Sequence, residues 1–295
     1  MQYNIKVILR KKGENKLSKI ELENSLKEFL IEMRYEEKSK NTLTKYKRNI
    51  EQFIMKIGDS EVCKDRVLEF KQYLIDMNFK TATINNYIVT VNKFLKWIGL
   101  KECTVKQIKQ QRKSSLNEML TVADYKRLLR FAKKYNRMDI YYIIKILTMT
   151  GIRIGELEYF TVENLKTNYI DVKNKGKERV IVIRQDLIRE LRKYCRENGI
   201  RSSYIFKGQS KGKMINQSTI WRNMKKIAGK ARVKKTKVHA HSFRHLFAKM
   251  YLKEYTDNIT GLADILGHNS LETTRIYTRT SDEEKRKEIE NIKFT

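Results

Sequence analysis

The chain has 295 residues, and 64 Lys and Arg against 34 Asp and Glu give it a net charge of +30. A hydrophobic fraction of 40% excludes a disordered chain, and no apolar run reaches the ~18 residues of a membrane span. Repulsion within so basic a chain favours a polyanionic partner, nucleic acid first and an anionic membrane surface second.

The opening of the chain predicts a short basic arm over residues 1–17. It contains no secretory signal, so we expect a cytoplasmic protein. Cys63, Cys103 and Cys195 lie far apart, in a pattern that fits neither a zinc site nor a disulfide framework.

A helical domain is predicted over residues 18–100. Ser18 and Glu21 have the spacing of a capping box, and apolar periodicity predicts four helices over about 18–35, 41–57, 64–77 and 81–98. Polar side chains on the second and fourth helices are of types that contact phosphates and bases. The candidate DNA-binding residues here are Lys45, Lys47, Arg48, Asn85, Asn86 and Lys93.

Residues 101–116 lose the apolar periodicity, and their first 15 positions hold five basic residues and one acidic residue. This composition predicts an extended basic linker between two domains, lying along an anionic partner. Arg112 and Lys113 are its candidate contacts.

A second domain is predicted over 117–280. Thr121 begins a helix to about 135, and a second helix covers 138–150. Short β-like runs within 169–183, separated by an Asn-Lys-Gly turn, predict a hairpin. Further helices are expected over about 185–198, 218–229, 242–254 and 260–266, followed by a charged tail helix over 281–295.

Three of the four histidines, His239, His241 and His245, fall within seven residues. One interpretation is a metal site, but no carboxylate or Cys lies nearby to complete it. The other is that His241 and Arg244 stand one helical turn apart on one face. An imidazole beside a fixed guanidinium suits an oxyanion.

Other side chains have the chemistry to join that pair. Arg153 follows the break at Gly151 at a predicted helix start, and Glu156 lies one turn further on, where it would orient Arg153. Three more candidates are Lys175 in the hairpin turn, His268 at a helix end, and Tyr277 nine residues later.

The segments GIRIGEL, NKGKER, HSFRH and LGHNSLETTRIYTR resemble, in order, the motifs of the tyrosine recombinase (phage integrase) family, in its simple two-domain form shared by Xer-type and mobile-element integrases. The resemblance implies a mainly α fold with a small antiparallel β-hairpin sheet. An N-terminal helical core-binding (SAM-like) domain would precede a mixed α/β catalytic domain.

The resemblance also implies a role for each candidate. Tyr277 would attack a DNA phosphate to give a 3′-phosphotyrosine, while Arg153 and Arg244 clamp the phosphate oxygens. The remaining assignments are Lys175 as general acid (with Lys173 or Lys177 as alternatives), His241 as general base, His268 as a phosphate contact and Glu156 as a support. Neither a metal ion nor another cofactor is expected. Ala240 and Leu246 depart from the family pattern, which has Pro and a small hydroxyl residue there.

Eight basic residues and no acidic one lie within 222–237, which favours a phosphate-tracking surface over a merely solvated helix face. Its candidate contacts are Arg222, Lys225, Lys226, Lys234 and Lys235. The family partners would be double-stranded DNA with an inverted-repeat core site, a homotetramer on two duplexes docked through residues 281–295, and an optional accessory DNA-bending protein.

We therefore expect a site-specific recombinase that cleaves and rejoins DNA strands through a Holliday junction, for integration or excision of a mobile element or for resolution. Two alternatives share parts of this pattern. A type IB topoisomerase-like nicking-closing enzyme would lack site specificity and the docking tail, and a non-catalytic DNA-binding protein would use the charge alone.

Overall fold

A computed structural model describes residues 17–109, 119–174, 177–210, 212–256, 258–267, 270–274 and 290–291 of the chain. The chain divides into two compact units, Met1–Arg112 and Lys113–Thr295. The division falls inside the segment predicted as a linker, and each unit has a hydrophobic core of its own. In the described ranges, no helix is both long and apolar enough to cross a membrane.

In the residues that the structure describes, the first unit contains four α-helices, as the apolar periodicity predicts. Ser18 and Glu21 form the capping box at the start of the first helix, where the Ser18 N–H donates to the Glu21 carboxylate at 2.8 Å. The helices are α1 (Lys19–Tyr35), α2 (Lys40–Ile57), α3 (Lys64–Asp76) and α4 (Thr81–Trp97).

Aromatic rings fill the centre of this unit. Phe29 of α1 packs edge-to-face against Phe94 and Trp97 of α4, each with ring centroids 5.5 Å apart. A buried polar contact also joins α2 to α4, because the Asn49 amide donates to the Thr90 hydroxyl at 3.3 Å.

The first part of the predicted linker packs on α4. Asn92 donates to the Val105 carbonyl at 2.8 Å and accepts from the Val105 N–H at 3.1 Å. Asn85 makes the same reciprocal pair with Ile108, at 2.9 and 2.8 Å. Two asparagines that lie two turns apart on the same face of α4 therefore hold the backbone of residues 105–108, much as a neighbouring strand would. This stretch belongs to the first unit.

The second unit is built around an apolar helix. Its helices are α5 (Val122–Lys134), α6 (Met138–Thr150), α7 (Gln185–Glu197), α8 (Gln217–Lys230), α9 (Ala240–Glu254), α10 (Ile259–Leu266) and α11 (Leu271–Thr274). Thr121 and Asp124 form a capping box at the start of α5. Helix α6 is buried along most of its length, with α5, α8 and α9 packed around it.

The predicted hairpin is present as β1 (Tyr169–Asn174) and β2 (Lys177–Val182), paired antiparallel. Its side chains alternate with period two: Ile170, Val172 and Ile181 are buried, whereas Val180 and Val182 are exposed. The hairpin turn, which includes Lys175, lies outside the described residues.

The chain turns sharply at Gly151, which ends α6 in the left-handed conformation with φ +63°. A Cβ there would lie 2.5 Å from Phe247 Cδ1 and 2.8 Å from Leu266 Cδ2. The following segment, Ile154–Tyr159, is a 3₁₀ helix rather than the predicted α-helix. Directly after it, Thr161 pairs with the distant Tyr204 in an isolated β-bridge.

Candidate active site

Arg153 and Glu156, which are hydrogen-bonded to each other, form the first half of the candidate site. Glu156 is 1% exposed and accepts from the Arg153 backbone N–H at 2.8 Å and from Arg153 Nη1 at 3.1 Å. The Arg153 side chain is 43% exposed, so its guanidinium is accessible to a ligand. The carboxylate therefore fixes an arginine that faces solvent.

The structure adds Arg179 of β2, which the sequence analysis did not single out. Its Nη2 donates to Glu156 Oε2 at 2.5 Å and its Nε to Oε1 at 3.3 Å. Its Nη1 donates to the Ile265 carbonyl. One signal was present in the sequence: the two-residue alternation places Arg179 on the inward face of β2 with Ile181, where an apolar residue would be usual.

Burial by itself raises the pKa of Glu156. The hydrogen bonds from Arg179 and from the Arg153 backbone, together with the charges of both arginines, lower this pKa by more than burial raises it. The net result is a pKa below the ordinary carboxyl value. Glu156 is therefore an anion held between two cations, with its charge available to neither water nor substrate.

Arg244 and His241 form the second half of the site, at the start of α9. Arg244 is 1% exposed, and its guanidinium donates to the Gly151 carbonyl at 2.8 Å and to the Leu266 carbonyl at 2.6 Å. His241 lies one turn earlier with an exposed side chain. Partial enclosure and then the charge of Arg244 lower the pKa of His241, so its imidazole is neutral at neutral pH.

The two halves meet at the C-terminal end of α10. Arg179, Arg244 and Arg153 bond three successive carbonyls, those of Ile265, Leu266 and Gly267, the last at 3.0 Å. The end of a helix presents unsatisfied carbonyls and the negative pole of its dipole, which three guanidinium groups complement. Arginines from a loop, a strand and a helix thus converge on one helix end.

His239 supports the same region. It is the N-cap of α9, where its Nδ1 accepts from the Ser242 backbone N–H at 3.2 Å. Partial burial and then the charge of Lys225 lower the pKa of His239, which favours the neutral imidazole that the cap requires. The His245 ring lies edge-on to His241 with centroids 4.5 Å apart.

Three predicted catalytic residues, Lys175, His268 and Tyr277, lie outside the described residues, and so do the side chains of Lys173 and Lys177. The described chain nevertheless stops next to one of them, since Gly267 directly precedes His268. Among the residues that the structure describes, no group of three or more His, Cys, Asp or Glu is placed to hold a metal ion.

The predicted DNA contacts of the first unit fall into two groups, side chains that are exposed to solvent and side chains that bond other parts of the protein. Lys47, Arg48 and Asn86 are exposed, and Lys45 donates to Asn86 Oδ1 at 2.7 Å. Asn85 instead uses its amide on the Ile108 backbone. Lys93 pairs with Glu36 at 3.2 Å, an exposed pair of the kind that contributes little and exchanges readily.

In the second unit, Arg222, Lys226, Lys234 and Lys235 are exposed, whereas the Lys225 ammonium donates to the Lys235 carbonyl. Around them the chain has no Asp or Glu from residue 198 to 253, a stretch with 15 Lys and Arg. Arg112 and Lys113 lie outside the described residues.

Comparison with known proteins decides the family. The model of the phage integrase family matches residues 118–284. The chain is also 31% identical to the tyrosine recombinase XerA of Pyrococcus furiosus, over 90% of this chain and 92% of that protein. The chain belongs to the phage integrase family. It is a tyrosine recombinase, an enzyme that breaks and rejoins DNA strands.

Solved structures show that this recombinase has the family fold in both units. XerH bound to its difH substrate in a pre-cleavage complex matches 93% of this chain and 84% of its own, with a TM-score of 0.68 and 21% identity. A lambda integrase tetramer bound to a Holliday junction matches 91% of this recombinase and 80% of its own chain, with a TM-score of 0.68 and 17% identity. The mainly helical fold with one small hairpin is thus confirmed.

Proposed function

We propose that this recombinase cuts its DNA by attack of Tyr277 on a phosphate held by Arg153 and Arg244. The observation that supports the proposal most is the convergence of these two arginines on consecutive carbonyls, Leu266 and Gly267, with His241 one turn before Arg244. Two fixed cations beside a neutral imidazole suit a phosphodiester whose negative charge grows in the transition state.

The proposed step balances protons and bonds. The Tyr277 oxygen forms a bond to phosphorus as its phenol proton passes to His241, whose lowered pKa keeps it free to accept one. The bond from phosphorus to the 5′-oxygen breaks, and Lys175 donates a proton to that oxygen. A 3′-phosphotyrosine and a 5′-hydroxyl result, and reversal with a new 5′-hydroxyl rejoins strands.

His268 and the arginines complete the charge balance in this proposal. His268 donates to a non-bridging phosphate oxygen, and Glu156 keeps Arg153 in position. The cationic side chains thus supply the charge neutralisation that a metal ion gives in other phosphoryl transfers.

We further propose that affinity for DNA comes chiefly from phosphate contacts on both units. Residues 1–112 hold 24 basic and 14 acidic residues, and residues 113–295 hold 40 and 20, so both units are strongly positive. The acid-free stretch over 198–253 and the exposed Lys47, Arg48 and Asn86 are the proposed contacts. Binding should therefore weaken steeply as salt rises.

At the level of assembly, we propose a homotetramer on two duplexes with inverted-repeat core sites, in which residues 281–295 dock on a neighbouring protomer. An accessory DNA-bending protein is an optional partner. The biological task that fits a two-domain recombinase is integration or excision of a mobile element, or resolution, and we propose that it is performed in the cytoplasm.

The decisive experiment uses nicked suicide duplexes tiled across the DNA on either side of this protein's own gene. The readout is a protein–DNA adduct that survives denaturation. We expect wild type to give an adduct at one locus and Tyr277→Phe to give none while still binding that DNA. Tyr255→Phe is the matched control, because Tyr255 is 55% exposed at the end of α9 and should leave the adduct unchanged.

Other outcomes separate the alternatives. Adducts at every sequence would favour a topoisomerase-like nicking-closing enzyme. An adduct that persists in Tyr277→Phe would assign the nucleophile to another residue. Salt-sensitive binding without any adduct in wild type would mean either that the target site lies away from the gene or that the protein binds DNA without cutting it.

A further inference from the structure

The side chain of Arg179 connects the two halves of the active site. Each of its three nitrogens donates a hydrogen bond: Nε and Nη2 to the two oxygens of Glu156, and Nη1 to the Ile265 carbonyl near the end of α10. Its side chain is 13% exposed, compared with 43% for Arg153. Arg179 therefore uses each of its three nitrogens on a group within the protein.

The partners of Arg179 are the groups that hold the phosphate-binding arginines. Glu156 accepts from both the backbone and the side chain of Arg153. The end of α10 accepts from Arg153 at Gly267 and from Arg244 at Leu266. A guanidinium that fixes both Glu156 and α10 thus acts on both arginines without contacting the ligand.

The fit at Gly267 shows that this position of Arg179 is built into the fold. Gly267 has φ +63°, and a Cβ added there would lie 2.6 Å from Arg179 Cδ. The stem of Arg179 therefore packs against the C-cap of α10 at a residue that has no side chain. A lysine could follow the same path but would have a single nitrogen for three acceptors.

We propose that Arg179 is a positioning residue for phosphate binding and strand cleavage, acting through Glu156 on Arg153 and through the end of α10 on both Arg153 and Arg244. The inference rests on the proposed function, which assigns the phosphate to these two arginines. It predicts a defect in cleavage that is separable from DNA binding.

The first test compares Arg179→Met and Arg179→Lys with Arg184→Met as the matched control. Arg184 lies two residues after the end of β2, is 69% exposed and pairs only with Asp186 in the contacts described, so its loss removes the same charge outside the site. The substrate is the duplex that wild type cleaves in the tiled screen. Single-turnover adduct formation is measured against pH, with DNA affinity and thermal unfolding measured in parallel.

We expect both Arg179 variants to bind DNA within about twofold of wild type but to form adduct about 10- to 100-fold more slowly, because small displacements of positioned groups have effects of that size. In Arg179→Met the acidic limb of the pH profile should move to higher pH, because Glu156 loses the hydrogen bond that most lowers its pKa. Arg184→Met should behave as wild type.

Two results would overturn the proposal. One is an adduct rate and a pH profile in both Arg179 variants that match those of Arg184→Met. The other is a loss of cleavage that only parallels a loss of DNA affinity and thermal stability, because that would indicate general support of the fold.

A second measurement needs no cleavable DNA. It therefore tests the positioning role of Arg179 even if the proposed cleavage chemistry is wrong. The chain has four histidines, and their ring resonances can be titrated in the free protein. The charges of Arg244 and Arg153 lower the pKa of His241. If Arg179 neutralises Glu156 and orients Arg153, Arg179→Met should raise the pKa of His241 and Arg184→Met should not. Equal titration curves in the two variants would refute the positioning role.

Discussion

His239 is an unusual choice for a helix N-cap, and it stands before the helix that carries His241 and Arg244. A capping imidazole must accept through an unprotonated nitrogen, here Nδ1 from the Ser242 N–H. Ala240 occupies the first helical position, where Pro would pre-set the backbone for a helix start. With Ala in place of Pro, the geometry of this helix start depends more on the cap.

We predict that His239→Ala destabilises the second unit by about 1 kcal/mol at pH 7.5 and that His239→Thr, which keeps a capping oxygen, does not. Urea unfolding measures the difference. Equal stability of the two variants would show that the cap contributes nothing.

The same variants test the pH dependence. The pKa of His239 is lowered in the folded state, so the unfolded state binds the proton first as the solution is acidified. The free energy of unfolding should therefore fall as pH drops from about 6.5 towards the folded pKa, and level off below it. In His239→Thr this decrease should be smaller, and His241, whose pKa is lowered too, contributes to the part that remains.

At the scale of elements, the turn from α6 into the site depends on Gly151. Its carbonyl accepts from Arg244, its φ is +63°, and the space beside it is filled by Phe247 and Leu266. The turn thus sets the contact between α6, α9 and α10 together with the anchor of Arg244, one of the two arginines proposed to hold the phosphate.

We predict that Gly151→Ala destabilises the second unit by roughly 2–5 kcal/mol, the sum of a left-handed alanine and an overpacked contact. Gly199→Ala is the matched control, because Gly199 has the same φ of +63° with nothing within 4 Å of an added Cβ. It should lose only about 1–2 kcal/mol. Denaturant unfolding compares the two, and equal losses would mean that Phe247 and Leu266 yield without cost.

Local signals explain how much of the elements could be predicted. Capping boxes such as Ser18 with Glu21 and Thr121 with Asp124 each span only four residues of sequence. The helix bounds follow from these caps and from apolar periodicity. The pairing of Glu156 with Arg179 is different, because it joins positions 23 residues apart through the folded hairpin. No local pattern specifies which charged residue a buried carboxylate will meet.

Polar residues on amphipathic helices show the same limit. Asn85 and Asn86 are neighbours on α4 and look alike in sequence as groups that face DNA. In the structure Asn86 is exposed, whereas Asn85 holds the backbone of Ile108. A helix face that packs against an extended segment and a helix face that is exposed to solvent both carry polar side chains. The sequence alone therefore does not distinguish the two kinds of face.

At the scale of the whole molecule, charge separates binding from assembly. All of the net positive charge of the chain lies before the C-terminal tail, since residues 281–295 hold four basic and five acidic residues. A segment of net charge −1 adds nothing to the attraction for phosphates. Residues 281–295, the proposed protomer-docking tail, can therefore be deleted without weakening the electrostatic contribution to DNA binding.

We predict that deletion of residues 281–295 leaves the affinity for a single core site, and its dependence on salt, within about twofold of wild type, because the counterions released by phosphate contacts are unchanged. Synapsis of two sites, or cleavage, should be impaired, because a head-to-tail contact closes the ring of four protomers. Mobility shifts with one labelled site measure DNA binding, and pairing of two sites of different length measures synapsis.

Replacing Ile289, Ile292 and Phe294 with Ser is the matched variant, since it removes the apolar residues proposed to enter the neighbouring protomer but leaves every charge in place. It should reproduce the deletion, and unchanged recombination by both variants would contradict a docking function for the tail.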